Sequence, residues 1–162
     1  MDFGFTNDPT AYTRSVRSHD KKILYITDAI GDKGWTNPEI ARRLKPIIND
    51  ELIRCDNEPK SIMELRQNGI NAIGAIKGPG SVNFGIQWLQ QFDQIIIDNA
   101  LQQVINEFTV YQWTKNKDGE TINEPVDRDN HYIDATRYAW SDVFLGSEKV
   151  VKYTDKESLG IF

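Results

Sequence analysis

The sequence predicts an α/β domain with a mixed central sheet and helices on both faces. Two observations carry this. Antiparallel β-rich runs fill the first third of the chain, and strictly alternating strand and helix patterns follow them. At 162 residues the chain can close one hydrophobic core.

The elements follow in order. "DFGF" (2–5) is a short aromatic strand and "NDPT" (7–10) a turn signal. "AYTRSVRSH" and "KKILYITDAI" are antiparallel strands joined near "HDKK". "GDKGW" breaks the pattern, and Thr36 before Pro38 and Glu39 is a helix start with Thr36 as N-cap. The helix "PEIARRLKPIIND" follows, and its interior Pro46 is expected to kink it or split off its last turn. "LIRCD" is a short strand. "EPKSIMELRQNG" is a helix with Pro59 in its first turn and Gly69 as its stop. "INAIGAI" is a strand, "KGPGS" a loop, "VNFGIQWLQQF" a helix, "QIIID" a strand and "NALQQVINEF" a helix. "TVYQWTKNKDGETIN" reads as a hairpin turning at Asp118-Gly119. A last helix spans about Asp129 to Trp140, and the polar, weakly patterned end of the chain predicts a partly ordered or flexible tail. The expected domain is thus residues 1–146, with 147–162 as tail. Three antiparallel strands, a helix and then strand–helix alternation is the order of the ribonuclease H-like topology, an analogy of fold alone.

Composition excludes several classes. Hydrophobic residues make up 39% and charged residues 27%, ordinary for a globular domain. No apolar run is long enough to span a bilayer, and the N-terminus lacks the basic and apolar regions of a signal peptide. The formal net charge is −5, which argues against a dedicated nucleic-acid module unless bound cations reverse the field around clustered acids. No phosphate-loop motif occurs. "GAIKGPGS" has its glycines and lysine in the wrong arrangement. Two histidines and a single cysteine make a structural zinc site improbable. Cys55 paired with His19 or His131 is a formal nucleophile, but its apolar strand calls for a small core residue instead.

The acids are more informative. Asp2 heads the first strand, Asp56 ends the strand after the first long helix, and Asp134 lies on the last helix. Residues leaving strand ends in an open α/β sheet meet in a common crevice. Three carboxylates gathered there repel one another unless cations sit between them, and an oxygen-rich set suits magnesium or manganese. Two such ions can activate a water and stabilise the leaving oxygen of a phosphodiester. His131, three residues before Asp134, shares its helix face as a ligand, an outer partner or a proton carrier. Asp127 is one turn further back. The plainer alternatives are that Asp2 is a loose terminal residue, Asp56 caps the helix at Pro59, and Asp134 faces water.

Taken together, "DFGFTNDPTAY", "CDNEPKSIMELRQNGINAIGAIKGPGSVNFGI", "NEFTVYQWTKNKDGETINEPVD" and "NHYIDATRYAW" resemble, in order from Asp2 to about Gly146, the nuclease domain of the large terminase subunit of tailed bacteriophages. The resemblance implies a ribonuclease H-like fold. It also implies a DNA endonuclease that uses two divalent cations, Mg2+ or Mn2+, to cut concatemeric viral DNA during genome packaging, with little sequence specificity. By its motifs Asp2, Asp56 and Asp134 are the metal ligands and His131 an auxiliary group beside them. Asp8 lies nearby and is read as bracing the turn.

The family's full-length protein carries an N-terminal ATPase motor. This chain is therefore expected to be an excised C-terminal domain, with Asp2 weakly anchored for want of the residues that lead into its strand. The implied partners are double-stranded DNA, the motor domain, the portal and the small terminase subunit, with no membrane, acting in the host cytoplasm and not in the virion. Expected phosphate contacts are Arg14, Arg17, Lys21 and Lys22 around the first hairpin, Lys77 in "KGPGS", and Lys115 and Lys117 in the later hairpin. The "KNKDGE" turn is a mobile flap over the site or a plain surface turn. The competing readings are another ribonuclease H-like nuclease, such as a junction resolvase, and a non-catalytic docking module for portal or motor.

Overall fold

A computed structural model describes residues 1–126 and 128–146. Asp127 and the expected tail lie outside the described residues. Strands β1 (Thr10–Arg17) and β2 (Ile23–Asp32) form an antiparallel hairpin, and β2 pairs in parallel with β5 (Gln94–Ile97). Strands β3 (Ile53–Cys55) and β4 (Ala72–Gly74) form a separate parallel pair.

The backbone of Met1 and Asp2 joins the two. Asp2 exchanges hydrogen bonds with Ala11, 2.7 Å from its N–H and 2.9 Å to its carbonyl. On the other side the Met1 amine donates to the Arg54 carbonyl at 2.6 Å, and the Asp56 N–H donates to the Met1 carbonyl at 2.8 Å. The rows therefore run β5, β2, β1, residues 1–2, β3, β4, with the first three chain segments antiparallel as expected. Asp2 is firmly anchored, which corrects the expectation of a loose first strand. The strand is shorter than "DFGF" suggests, because the chain turns at Gly4. There Thr10 Oγ1 accepts the Gly4 N–H and donates to its carbonyl, and a Cβ at Gly4 would run into the carbonyls of Asp8 and Pro9.

Helices cover both faces. On one, α1 (Asn37–Ile48) and α2 (Pro59–Gln67) bury Ile40, Leu44, Ile62 and Leu65 against Met1, Tyr12, Ile53 and Cys55. On the other lie α3 (Ser81–Gln90), α4 (Gln102–Val110) and α5 (His131–Ala139). They pack Ile86, Trp88, Val104, Tyr132 and Ile133 on Ala11, Leu24 and Ile26. Thr36 begins α1 as expected, its N–H donating to Glu39 at 3.0 Å. Pro46 does not split α1, which runs unbroken to Ile48. Pro46 and Arg42 are both exposed, so the carbonyl that loses its partner is on the wet side of the helix. The hairpin of β6 (Trp113–Lys115) and β7 (Thr121–Pro125) turns with Gly119 at φ 81°. Ser141–Phe144, expected within the weakly patterned end, forms a short helix α6, whose Phe144 ring lies 5.8 Å from Trp88. Among the described residues no helix is long and apolar enough to cross a membrane.

Leu65, fully buried where α2 meets the sheet, tests this core. Leu65→Ala should cost about 2–5 kcal/mol in urea unfolding. Met63→Ala on the exposed side of the same helix should stay within about 0.5 kcal/mol.

Candidate functional site

Each acid is delivered by a different element. Alternation along the N-terminal segment sends Met1 into the α1/α2 core and Asp2 to the opposite face, under α5. Asp56 follows the last residue of β3 in the neighbouring row. Asp134 stands in the first turn of α5, which is fixed to β1 by Thr13 and Thr136, 3.0 Å apart, and by Trp140 Nε1 donating to Ser15 at 2.8 Å.

All three carboxylates are held. His131 Nδ1 lies 3.2 Å from Asp2 Oδ2, and its Nε2 lies 3.9 Å from Asp8. Lys77 is ion-paired with Asp56 and stands 4.7 Å from the centre of the Tyr138 ring. Arg137 Nε and a terminal nitrogen both donate to Asp134 Oδ1, at 3.1 and 2.6 Å. Asp56 does not cap α2. Its carboxylate takes the Asn57 N–H and Lys77, while the N-cap position belongs to Glu58. Asp134 is only 16% exposed, so the water-facing alternative does not hold either.

The charges of the other two acids act on Asp2. Burial first, then the charge of Asp134, and to a lesser degree that of Asp56, push the Asp2 carboxyl up to about 6, against the opposing pull of His131. As the side chains stand, no three His, Cys, Asp or Glu among the described residues converge tightly enough to hold an ion, and Asp56 and Asp134 are ion-paired with Lys77 and Arg137. The donor set nevertheless fits a hard cation. It offers three carboxylates, one of them short of positive charge, and no thiolate. Cys55 is fully buried in β3, and burial raises its thiol to about 11, the reverse of an activated nucleophile.

Two clefts adjoin the acids. One of about 560 Å³ is lined by Lys77, Gly78, Ser81, Asp134, Arg137 and Tyr138. The other, of about 870 Å³, reaches His131 past Asp8, Asp32, Glu107 and Asp129, with Lys33 and Arg128 on its walls. Of the expected phosphate-binding residues, only Lys77 is beside the acids. Arg14 is on the α1 side of the sheet, bound to Glu51 and to the Ile47 carbonyl. Arg17 sits over the Trp140 ring at the far end of β1, next to Lys21 and Lys22 at the hairpin tip. Eight residues of strand put that tip roughly 20 Å or more from the Asp2 pairing. Lys115 and Lys117 are exposed on the β6–β7 hairpin. Arg137 and Glu107 were not singled out in the sequence. Arg137 had a signal in its i+3 spacing from Asp134, whereas Glu107 had none.

A mixed sheet centred on the N-terminal row, with acids from that row, its parallel neighbour and a C-terminal helix, defines a ribonuclease H-like domain with an acidic site. Residues 2–142 match the family described as the terminase RNase H-like domain, and the chain belongs to that family. It is 37% identical over 145 residues to the terminase large subunit of Bacillus phage SPP1, and 34% over 151 residues to the PBSX phage terminase large subunit of Bacillus subtilis strain 168. Those matches cover 86% and 92% of this chain but 34% and 35% of the relatives, so the chain spans about a third of their length. The manganese-bound nuclease domain of the SPP1 large terminase superposes with a TM-score of 0.80 at 36% identity, covering 86% of this chain and 81% of that one. The P22 large terminase nuclease domain shares the fold at a TM-score of 0.67 and 20% identity, covering 88% and 79%.

Glu107 is buried on α4 and accepts the Ile133 N–H at 2.7 Å, capping α5. Burial raises its carboxyl to about 7, well above the ordinary 4.5. A raised folded-state value means that its contribution to stability is complete below about 4.5 and lost as pH rises through about 7. Between pH 5 and 8 the wild type should therefore lose roughly 2–3 kcal/mol that Glu107→Gln does not lose. Urea unfolding at stepped pH measures the difference, and parallel pH profiles would contradict it.

Proposed function

We propose that this domain is a divalent-cation-dependent DNA endonuclease that cuts concatemeric viral DNA during packaging by two-metal phosphodiester hydrolysis, with low sequence specificity. The observation that carries it is that Asp2 is joined to both neighbouring acid-bearing elements, touching His131 on the helix of Asp134 and following Met1, whose carbonyl takes the Asp56 N–H. The manganese-bound SPP1 domain, similar in fold and sequence, supports the same reading.

Asp2, Asp56 and Asp134 would hold the ions, Mg2+ or Mn2+. When bound, these supply a nucleophilic water at neutral pH and charge for the leaving oxygen. The protein's own part is positioning. His131 orients Asp2 through the 3.2 Å contact, and α5, locked on β1, fixes Asp134. Lys77, in a glycine-bearing loop on the less acidic cleft, is placed to exchange Asp56 for a DNA phosphate. Such a contact carries no sequence code. The remaining basic residues, Arg14, Arg17, Lys115 and Lys117, are at most outlying contacts. In the whole protein the partners would be double-stranded DNA, an ATPase motor domain, the portal and the small subunit, in the host cytoplasm.

Plasmid nicking in manganese should fall in Asp56→Ala and Asp134→Ala by more than the roughly 10–100-fold that losing an outer-sphere partner costs. Equal cleavage by wild type and both variants would sink the assignment. Cleavage confined to four-way junctions would favour a resolvase. No manganese binding by calorimetry, with no cleavage at any metal concentration, would favour a docking module.

A further inference from the structure

An Arg three residues after an Asp on a helix is ordinarily a weak, mobile pair. Arg137 is different because it is 3% exposed. Its guanidinium meets Asp134 through two nitrogens while its alkyl stem runs beneath α3. The stem passes at Gly85. A Cβ built there would lie 2.7 Å from Arg137 Cδ and 3.1 Å from Cγ, with Phe144 Cζ also at 3.1 Å. Glycine inside a helix is unfavourable relative to alanine, and φ at Gly85 does not require it. The close passage of the arginine stem does.

We propose that Gly85 and Arg137 are positioning residues for Asp134. Gly85 leaves the channel through which Arg137 lies buried, and Arg137 sets the orientation of the carboxylate that faces Asp2. The inference rests on the nuclease reading, since it assigns the machinery behind one of that site's three acids. Arg137 therefore stands on the wall of the Lys77 cleft with its guanidinium committed to Asp134.

The test uses the 162-residue chain carrying Gly85→Ala, Arg137→Ala, Arg137→Lys, the Gly85→Ala/Arg137→Ala pair, and Asp134→Ala. Manganese affinity is measured by calorimetry, nicking by kcat and KM, and folding by thermal melts of the metal-free protein. Gly85→Ala and Arg137→Ala should each weaken manganese binding by about 10–100-fold and lower kcat, with KM for DNA unchanged. The double variant should bind manganese no worse than Arg137→Ala alone, because the stem is gone and only Phe144 Cζ, at 3.1 Å, is left for the Cβ to press on. Arg137→Lys should recover part of the loss. Wild-type manganese affinity in Gly85→Ala or Arg137→Ala, alongside an Asp134→Ala that no longer binds, overturns the positioning role and leaves the nuclease reading standing. Fully additive losses in the double variant overturn the link between Gly85 and Arg137. Wild-type binding and cleavage by Asp134→Ala removes the nuclease reading and this proposal with it. If Gly85→Ala does not fold, Arg137→Lys against Arg137→Ala decides. Equal losses in those two, or none in either, count against the proposal.

Discussion

Met1 and Asp2 are paired through the backbone on both sides, to Ala11 on β1 and to Arg54 and Asp56 around β3. Without that row, the β5-β2-β1 and β3-β4 sheets would face each other with open edges. The same pairing sets the register of the site. Successive residues in extended chain point to opposite faces, so Met1 enters the α1/α2 core and Asp2 the space beneath α5. A slip of one residue would reverse this, burying a carboxylate among Ile40 and Leu44 and putting methionine where the acids meet. The hydrophobic cost of the wrong register thus protects the position of a charged group.

That position is expensive in a second sense. A half-buried carboxylate facing two others is disfavoured as an anion, and Asp2 responds by holding its proton to about 6. The fold offsets the cost with one basic partner per acid: His131 for Asp2, Lys77 for Asp56 and Arg137 for Asp134. The partners differ in how tightly they are committed. Lys77 is partly exposed on a loop, whereas Arg137 is enclosed by α3. A cation held by these acids would therefore meet a lysine on Asp56 that water reaches and an arginine on Asp134 that is enclosed.

Much of this was legible in the sequence, because the signals were local. Thr36 with Glu39, the Asp118-Gly119 turn and the strand–helix alternation are decided within a few residues, and the motifs around Asp2, Asp56 and Asp134 carry the family. What was not legible depends on distant contacts. Nothing near Gly85 announces an arginine 52 positions later in the chain, and "INEF" does not say that Glu107 caps another helix. Arg14 and Arg17 read as surface cations, but Glu51 and Trp140 engage them. Pro46 reads as a break, yet exposure of its turn lets the helix pass.

The spacing within "HYIDATR" explains how one helix serves three purposes. His131, Asp134 and Arg137 are each three residues apart, about 60° short of a full turn per step. Their row consequently winds around α5 and does not run straight along it. His131 begins the row at the cleft that contains Asp8, 18% exposed. Asp134 follows at 16%, facing Asp2. Arg137 ends it, buried, with its stem against α3. A four-residue step would instead overshoot the turn and wind the opposite way, carrying the third group away from the side reached by His131 and Asp134. The three-residue step lets a single rigid element touch the first carboxylate, supply another, and brace that second one from the interior.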